Sequence, residues 1–160
     1  MKTDIVLAGV GGQGVLTVAA IIAATARIEG FNVKQVEAHG MAQRGGAVQA
    51  HLRLSDRPIA SDLIPKGTAD MILGLEPVES LRYLPFLGPG GALITSTDPV
   101  QNVPDYPPLE DVLAELRALP EALLLPAEQL ARTAGSKRYT NVVLVGAASH
   151  LLPIPIETIE

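Results

Sequence analysis

Short apolar runs alternate along the chain with longer stretches that are amphipathic or apolar nearly all round. The short runs have the length and the β-prone composition of strands, and residues 47–54 alternate apolar with polar positions. They predict strands over residues 5–8, 33–38, 47–54, 71–75, 92–95 and 123–125. The longer stretches predict helices over residues 13–28, 78–84, 109–119, 127–134 and 142–152. Alternating strands and helices imply one α/β domain with a mostly parallel sheet flanked by helices.

Glycine, proline and capping residues predict where these elements are interrupted. Residues 88–91, Gly-Pro-Gly-Gly, predict a turn before the strand at 92–95. Residues 98–108 contain four prolines and no periodicity, so they predict a loop. Thr140 or Asn141 is expected to cap the last long helix.

Composition narrows the classes of protein that this chain can represent. Its 160 residues are 48% hydrophobic and 3% aromatic with a formal charge of −5, which gives no basic, base-stacking footprint for nucleic acid. No apolar stretch is long enough to cross a bilayer. The chain has no cysteine, which excludes disulfides and cysteine-ligated iron–sulfur clusters within it and fits a reducing cytoplasm.

A glycine-rich loop, GVGGQG, separates the first predicted strand from the first helix. Gly9, Gly11 and Gly14 match G-x-G-x-x-G, a pattern that binds a dinucleotide when strand, loop, helix and second strand follow in order. Glu37 ends the second predicted strand, where a dinucleotide site places an acid on the ribose. The alternative is that the glycines serve only a tight turn and close packing of helix on sheet.

A second glycine-containing loop, residues 40–46, follows the second predicted strand. Loops at the carboxyl ends of strands meet at one edge of a doubly wound sheet, so we expect it beside GVGGQG. Arg44 suits a carboxylate or a phosphate, or alternatively caps a helix or pairs with Glu37 or Glu76. His39, beside this loop, is the histidine best placed for a site, and the three histidines lack metal-ligand spacing, so no metal site is expected.

Four segments together resemble one known family. GVGGQGVLT, HGMAQRGG, ADMILGLEPVESLRY and TNVVLVGA, in this order and spacing, are similar to the gamma-type, Rossmann-like domain of 2-oxoacid:ferredoxin oxidoreductases. Within that family they look most like the small (beta) subunits of indolepyruvate ferredoxin oxidoreductases, and the resemblance covers nearly all of residues 1–160. The residues that match its motifs, as ligand-binding or partner-facing candidates, are Gly9, Gly11, Gly12, Gln13, Gly14, Gly40, Gln43, Arg44, Gly45, Gly46, Glu76 and Asn141. No catalytic residue is identified among them.

The resemblance implies a role within a larger assembly. The family oxidatively decarboxylates 2-oxoacids to acyl-CoA and CO2 and reduces ferredoxin. Thiamine diphosphate, magnesium and iron–sulfur clusters are held mainly by other domains, which lie on a larger alpha subunit in the indolepyruvate branch, and the gamma domain lies near coenzyme A in some relatives. We therefore expect a non-autonomous cytoplasmic subunit that binds none of these cofactors alone, works with that large subunit and ferredoxin, and in isolation can form a homo-oligomer.

Two other functions remain open at this point. One is a free-standing NAD-binding oxidoreductase with Glu37 on the ribose, and the other is an interaction module whose glycine loops are purely structural. Relatives usually extend some tens of residues further, which predicts either a short protein or a chain truncated at its C-terminus.

Overall fold

A computed structural model describes residues 1–39, 45–101 and 103–159, and within them one sheet forms the centre of the molecule. Its strands are β1 (Lys2–Val10), β2 (Asn32–His39), β3 (Ala47–Ser55), β4 (Ala69–Gly74), β5 (Leu87–Ser96) and β6 (Ala122–Leu125). The helices are α1 (Val15–Ile28), α2 (Pro77–Arg82), α3 (Leu109–Arg117), α4 (Ala127–Thr133), α5 (Thr140–Ala148) and α6 (Ile156–Ile159). Short 3₁₀ turns occupy Leu84–Phe86, Lys137–Tyr139 and Ser149–Leu151.

The strand order is β2-β3-β1-β4-β5-β6, and it divides the sheet into two halves. β1, β4, β5 and β6 are parallel neighbours, whereas β3 is antiparallel to both β1 and β2. The expected single α/β domain with a mostly parallel sheet is confirmed. The predicted strand, loop, helix and second strand follow in order as β1, α1 and β2, but β3 lies between the two strands in the sheet. The connection over residues 40–46 is too short for the crossover that a parallel pair needs, so β3 returns antiparallel.

Helices cover the sheet on both faces, and alternate strand residues supply the two cores. Ile5 and Leu7 point to the face packed by α1, α5 and α6, while Val6 points to the face packed by α2 and α3. All three are fully buried, as are most residues of β4. Burial on both faces explains why the parallel strands read as unbroken apolar runs in the sequence.

One local prediction is wrong and another is modified. Residues 88–91 lie within the span of β5 but have no partner on β4, because Leu87 pairs with Ala69 and Ala92 pairs with Met71. The predicted turn is therefore an interruption of the ladder, with Gly90 at a φ of +74°. Gly91 lies close to β4, since a Cβ there would lie 2.8 Å from the Ala69 carbonyl oxygen. Neither Thr140 nor Asn141 caps α5, whose N-cap position is Tyr139 without a side-chain hydrogen bond.

Among the described residues, no helix combines the length and the apolar character that a membrane span requires.

Candidate functional site

The glycine loop turns the chain sharply between β1 and α1. The Gln13 backbone N–H donates to the Val10 carbonyl at 3.0 Å and closes the turn. Gly12 and Gly14 have φ of +102° and +88°, in the left-handed region that side chains other than glycine rarely adopt. Gly14 is also the N-cap of α1, so the first N–H groups of that helix lie next to the loop.

Packing accounts for two of these glycines and leaves a third facing open space. A Cβ on Gly9 would lie 2.8 Å from Cγ2 of Val15, and one on Gly14 would lie 2.9 Å from Nδ2 of Asn141. A Cβ on Gly12 would meet no atom within 4 Å. Gly9 and Gly14 therefore serve close packing, as the structural alternative expects, while Gly12 exposes its backbone where a ligand or a partner can approach.

The side chain of Gln13 ties the glycine loop to the loop that follows β4. Its Oε1 accepts from the Val10 backbone N–H at 2.8 Å, and its Nε2 donates to the Leu75 carbonyl at 3.0 Å. The Leu75 N–H in turn donates to the Ala8 carbonyl at 2.8 Å. Gln13 thus fixes the carboxyl ends of β1 and β4 against each other.

The second glycine-containing loop lies beside the first at its described end. The Gly11 N–H donates to the Gly46 carbonyl at 2.8 Å, and the Gly45 N–H donates to the Gly11 carbonyl at 3.3 Å. The predicted juxtaposition of the two loops is therefore confirmed for Gly45 and Gly46. The candidates Gly40, Gln43 and Arg44 lie outside the described residues, as does the side chain of His39 at the end of β2.

Glu76 has a structural role at the start of α2. Its side chain is 1% exposed, and Oε2 accepts from the Glu79 backbone N–H at 2.9 Å as an N-cap. Oε1 accepts from the Val100 N–H at 3.3 Å and from the Tyr106 hydroxyl. Glu76 therefore holds the proline-rich loop against α2, next to the cavity described below.

A cavity of about 460 Å³ opens at the carboxyl edge of the parallel strands. The residues that line it come from the glycine loop, the loops after β4 and β5, and the beginnings of α4 and α5. They are Gly12, Gln13, Gly14, Leu75, Ser96, Asp98, Pro99, Val100, Glu128, Lys137, Arg138, Thr140 and Asn141. Three sequence-predicted residues of the first motif thus meet Asn141 of the last motif, although Gly9, Gly11 and Glu76 do not line the cavity.

The acidic and basic side chains of this cavity differ in their partners. Asp98 accepts from the Ser96 hydroxyl and from the Glu128 backbone N–H, both at 2.7 Å. Glu128 pairs with Arg132 at 2.6 Å, and the hydrogen bond from that guanidinium lowers the pKa of Glu128. Lys137 and Arg138 form no ion pair with any residue in the described part of the chain. Two exposed cations and a helix N-terminus therefore face a space suited to an anion.

Sequence reasoning missed Asp98, Lys137 and Arg138. Two adjacent cations ahead of a helix are a weak local signal, and only the fold brings them back to the first loop. Within residues 1–39, 45–101 and 103–159, no group of three or more His, Cys, Asp or Glu side chains is arranged to hold a metal ion.

The position of Glu37 argues against a dinucleotide site of the usual kind. That site needs the acidic residue on the strand next to β1, but β3 separates β1 from β2 and Glu37 pairs with Ala50. Neighbouring strands lie about 4.8 Å apart, so Glu37 lies roughly one strand spacing further from β1 than the acidic residue of a dinucleotide site does. Its carboxylate instead accepts from Nε2 of Gln35 at 2.8 Å.

The family of the chain follows from comparison with known proteins. The family model described as "Pyruvate ferredoxin/flavodoxin oxidoreductase" matches residues 4–160. The chain belongs to this family. It is 41% identical to the indolepyruvate oxidoreductase subunit IorB of Archaeoglobus fulgidus, in an alignment that covers all of this chain and 83% of that relative. The resemblance carried by the four sequence motifs is thereby confirmed.

Solved structures share the fold at low sequence identity. The gamma subunit of a keto/oxoacid ferredoxin oxidoreductase from Geobacter sulfurreducens matches with a TM-score of 0.71 and 23% identity, covering 98% of this chain and 82% of that one. The 2-oxoglutarate:ferredoxin oxidoreductase of Magnetococcus marinus, with 2-oxoglutarate, coenzyme A and succinyl-CoA bound, matches with a TM-score of 0.74 and 21% identity. That match covers 99% of this chain and 26% of the other. The two likenesses show a shared architecture.

Proposed function

We propose that this chain is the small, non-autonomous subunit of a 2-oxoacid:ferredoxin oxidoreductase that acts on arylpyruvates such as indolepyruvate. The complex would decarboxylate the 2-oxoacid oxidatively to an acyl-CoA and pass the electrons to ferredoxin in the cytoplasm. The 41% identity to a subunit named for indolepyruvate oxidation, over the whole length of this chain, supports the substrate class. Thiamine diphosphate, magnesium and iron–sulfur clusters would be held by a large alpha subunit, since this chain has no cysteine for a cluster.

The cavity at the carboxyl edge is the proposed site for the phosphates of coenzyme A, at the junction with the large subunit. The observation that supports this role is the meeting of the open Gly12 backbone with Lys137 and Arg138, neither of which has a described carboxylate partner. Backbone N–H groups at a helix start and two exposed cations suit phosphate oxygens. Coenzyme A would supply the thiol that accepts the acyl group, while this chain's residues would hold the phosphate end.

Reconstitution tests the subunit assignment. The pure chain should not reduce a viologen dye with indolepyruvate and coenzyme A, and activity should appear when a large thiamine-binding subunit is added. Oxidation of the 2-oxoacid by the chain alone would overturn the proposal. Saturable NADH binding at micromolar concentration would instead favour the free-standing NAD enzyme.

Removal of the two cavity cations tests the site within the reconstituted complex. Lys137→Ala with Arg138→Ala should raise the KM for coenzyme A about tenfold with little change in kcat, because two solvent-screened ion pairs of exposed side chains together contribute about 1.4 kcal/mol. The control is Arg27→Gln with Arg117→Gln, which removes two exposed charges from outside the cavity lining. An unchanged KM with weakened subunit association would show that the cavity contacts only the partner.

A further inference from the structure

A second cavity, of about 490 Å³, lies on the antiparallel half of the sheet. It shares no lining residue with the proposed coenzyme A site. Val36 of β2 and His51 of β3 lie opposite each other in register on its floor, and the loop after β3 forms its wall together with Phe86. The proposed function leaves this space without a role.

The wall of this cavity is fixed by hydrogen bonds to the sheet. The Arg53 guanidinium donates to the carbonyl oxygens of Ser61 and Leu63 at 2.9 and 3.0 Å. The Ile64 backbone N–H donates to Nδ1 of His51 at 2.9 Å. Because these bonds hold the loop at several points, the space between loop and sheet is preformed, as ligand sites usually are.

One ring nitrogen of His51 is a donor without a partner. Nδ1 accepts from the Ile64 N–H, so the neutral ring carries its proton on Nε2, which donates to no described residue. Among the described side chains that are not exposed, only Oε1 of Gln49 is both unpaired and fully enclosed, so Nε2 of His51 is reachable from the cavity that the ring lines. His51 as a whole is only 5% exposed. A sheltered N–H of this kind favours a ligand that supplies an acceptor.

The surroundings of this donor are apolar. Val36, Ile64 and Phe86 line the cavity, and the Phe86 ring stands edge-on to the His51 ring with centroids 5.3 Å apart. Apolar side chains gain free energy when a hydrocarbon group displaces the water next to them. The acceptor is therefore expected on a molecule with an apolar body.

The charges near the donor favour an acceptor that is negative. Burial lowers the pKa of His51, and the positive charge of Arg53 lowers it by more than the negative charge of Asp4 raises it. Lys66 lines the cavity, is exposed and forms no ion pair with a residue in the described part of the chain. Glu37 is the opposing charge on the lining, and its carboxylate already accepts from a neighbouring amide at 2.8 Å. Two cations, one beside the ring and one on the lining, therefore suit a carboxylate.

We propose that this cavity binds a monocarboxylate with an apolar body, and that one carboxylate oxygen accepts from the Nε2–H of His51. The body would lie against Val36, Ile64 and Phe86, and Lys66 would face the carboxylate from the lining. This inference is independent of the proposed function, because it uses neither the glycine loop nor a partner subunit.

Two probes that differ in charge test the proposal on the full-length chain. Hexanoate carries a carboxylate, and hexanamide has a similar shape with a neutral carbonyl acceptor. A titration at about pH 7.5, above the ordinary imidazole pKa of 6.5, should give saturable NMR shifts of the His51 ring nitrogens and the Ile64 backbone N–H. Hexanoate should bind about threefold to tenfold more tightly than hexanamide, because a charge-assisted hydrogen bond is roughly twice as strong as a neutral one.

Three outcomes would overturn the proposal. They are an absence of saturable shifts at His51 and Ile64, equal affinity for the two probes, and shifts confined to the first cavity around Lys137 and Arg138.

Matched variants assign the contact to His51. His51→Asn keeps an acceptor for the Ile64 N–H and removes the Nε2 donor, so hexanoate should bind about tenfold more weakly. His150→Asn alters an exposed histidine outside the lining and should leave the affinity intact. Full hexanoate affinity retained in His51→Asn would contradict the assigned contact.

Two further substitutions test the location of the site without removing a hydrogen bond from its wall. Ala38→Phe, at an exposed lining residue, should block both probes while the protein still unfolds cooperatively. Lys66→Gln should reduce the preference for hexanoate over hexanamide, whereas Arg27→Gln removes an exposed cation outside the lining and should preserve it. Undiminished binding in Ala38→Phe would show that the probes do not occupy this cavity.

Discussion

A buried carboxylate positions a loop on each side of the sheet, but the two carboxylates are held in different ways. On the antiparallel side, Arg53 of β3 holds the loop after that strand and binds the fully buried Asp4 of the neighbouring β1 at 2.8 and 3.0 Å. In the parallel half, Glu76 accepts only from the neutral donors of Glu79, Val100 and Tyr106, and within the described residues it has no cationic partner. An ion pair and a set of neutral hydrogen bonds serve the same positioning task.

The difference determines what remains when each arrangement is broken. Removal of the Asp4 charge leaves Arg53 partly buried, with its side chain 14% exposed and without an ion-pair partner among the described residues. Removal of one donor from Glu76 leaves a carboxylate that still has two donors. The antiparallel half should therefore respond strongly to a single substitution, and the parallel half should respond locally.

The largest effect is expected for Asp4→Asn. It should lower the free energy of unfolding by about 3 kcal/mol, because breaking a buried pair leaves an uncompensated charge. Urea denaturation measures the loss, and hydrogen exchange at Ile64 should become faster as Arg53 releases the carbonyl oxygens of Ser61 and Leu63 in the loop after β3. Asp56→Asn is the control, since Asp56 pairs with the N-terminus at an exposed position and should give little change. Equal stability of Asp4→Asn and the native chain would contradict this comparison.

A smaller effect is expected for Tyr106→Phe. Loss of the hydroxyl donor to Glu76 should cost about 1 kcal/mol and should speed hydrogen exchange at Val100, because the loop beside the first cavity is then held by one contact fewer. Tyr139→Phe removes a hydroxyl from a half-exposed tyrosine on the surface and should change neither measurement. Slow exchange at Val100 in Tyr106→Phe would show that Glu76 does not anchor this loop through Tyr106.

The same contrast explains how much of the fold could be predicted from the sequence. Strands of the parallel half are buried on both faces, so residues 5–8, 71–75 and 92–95 appear as unbroken apolar runs. The pattern of residues 47–54 predicts β3 correctly as a strand but not its place between β1 and β2. The shortness of the connection at 40–46 indicates that β3 is antiparallel to β2, because a parallel pair needs a longer crossover. At residues 88–91, the local preference of glycine and proline for turns interrupts the ladder between β4 and β5, although β5 spans both sides of the interruption.

The candidate site was predictable only where a general rule brings loops together. Loops at the carboxyl ends of strands meet at one edge of a doubly wound sheet, and this rule predicted that Gly45 and Gly46 lie beside Gly11, as the structure confirms. Nothing local indicates that Lys137 and Arg138, far along the chain, return to the same edge, since this depends on how α4 and α5 pack. The ligand-binding or partner-facing roles of the candidate residues, with His39, Gly40, Gln43 and Arg44 among them, stay predictions.

The smallest effect is expected from the titration of His51, in the antiparallel half. Burial lowers the pKa of His51, and the nearby positive charge of Arg53 lowers it further against the opposing charge of Asp4. In the unfolded chain the imidazole protonates at its ordinary pKa of 6.5, whereas the folded ring stays neutral to lower pH. Protonation therefore favours the unfolded state, and this part of the stability is present above pH 6.5 and lost as the pH falls towards the folded pKa.

His51→Asn isolates that contribution, because an amide oxygen can still accept from the Ile64 N–H but does not titrate. The free energy of unfolding of the native chain should decrease relative to that of His51→Asn between pH 7.5 and pH 5, as measured by urea denaturation at each pH. Groups common to both proteins cancel in this difference, including Glu79, whose pKa is raised by burial. His150→Asn alters an exposed histidine and should not reproduce the trend. A constant difference across this range would mean that the His51 ring protonates as readily in the folded protein as in the unfolded chain.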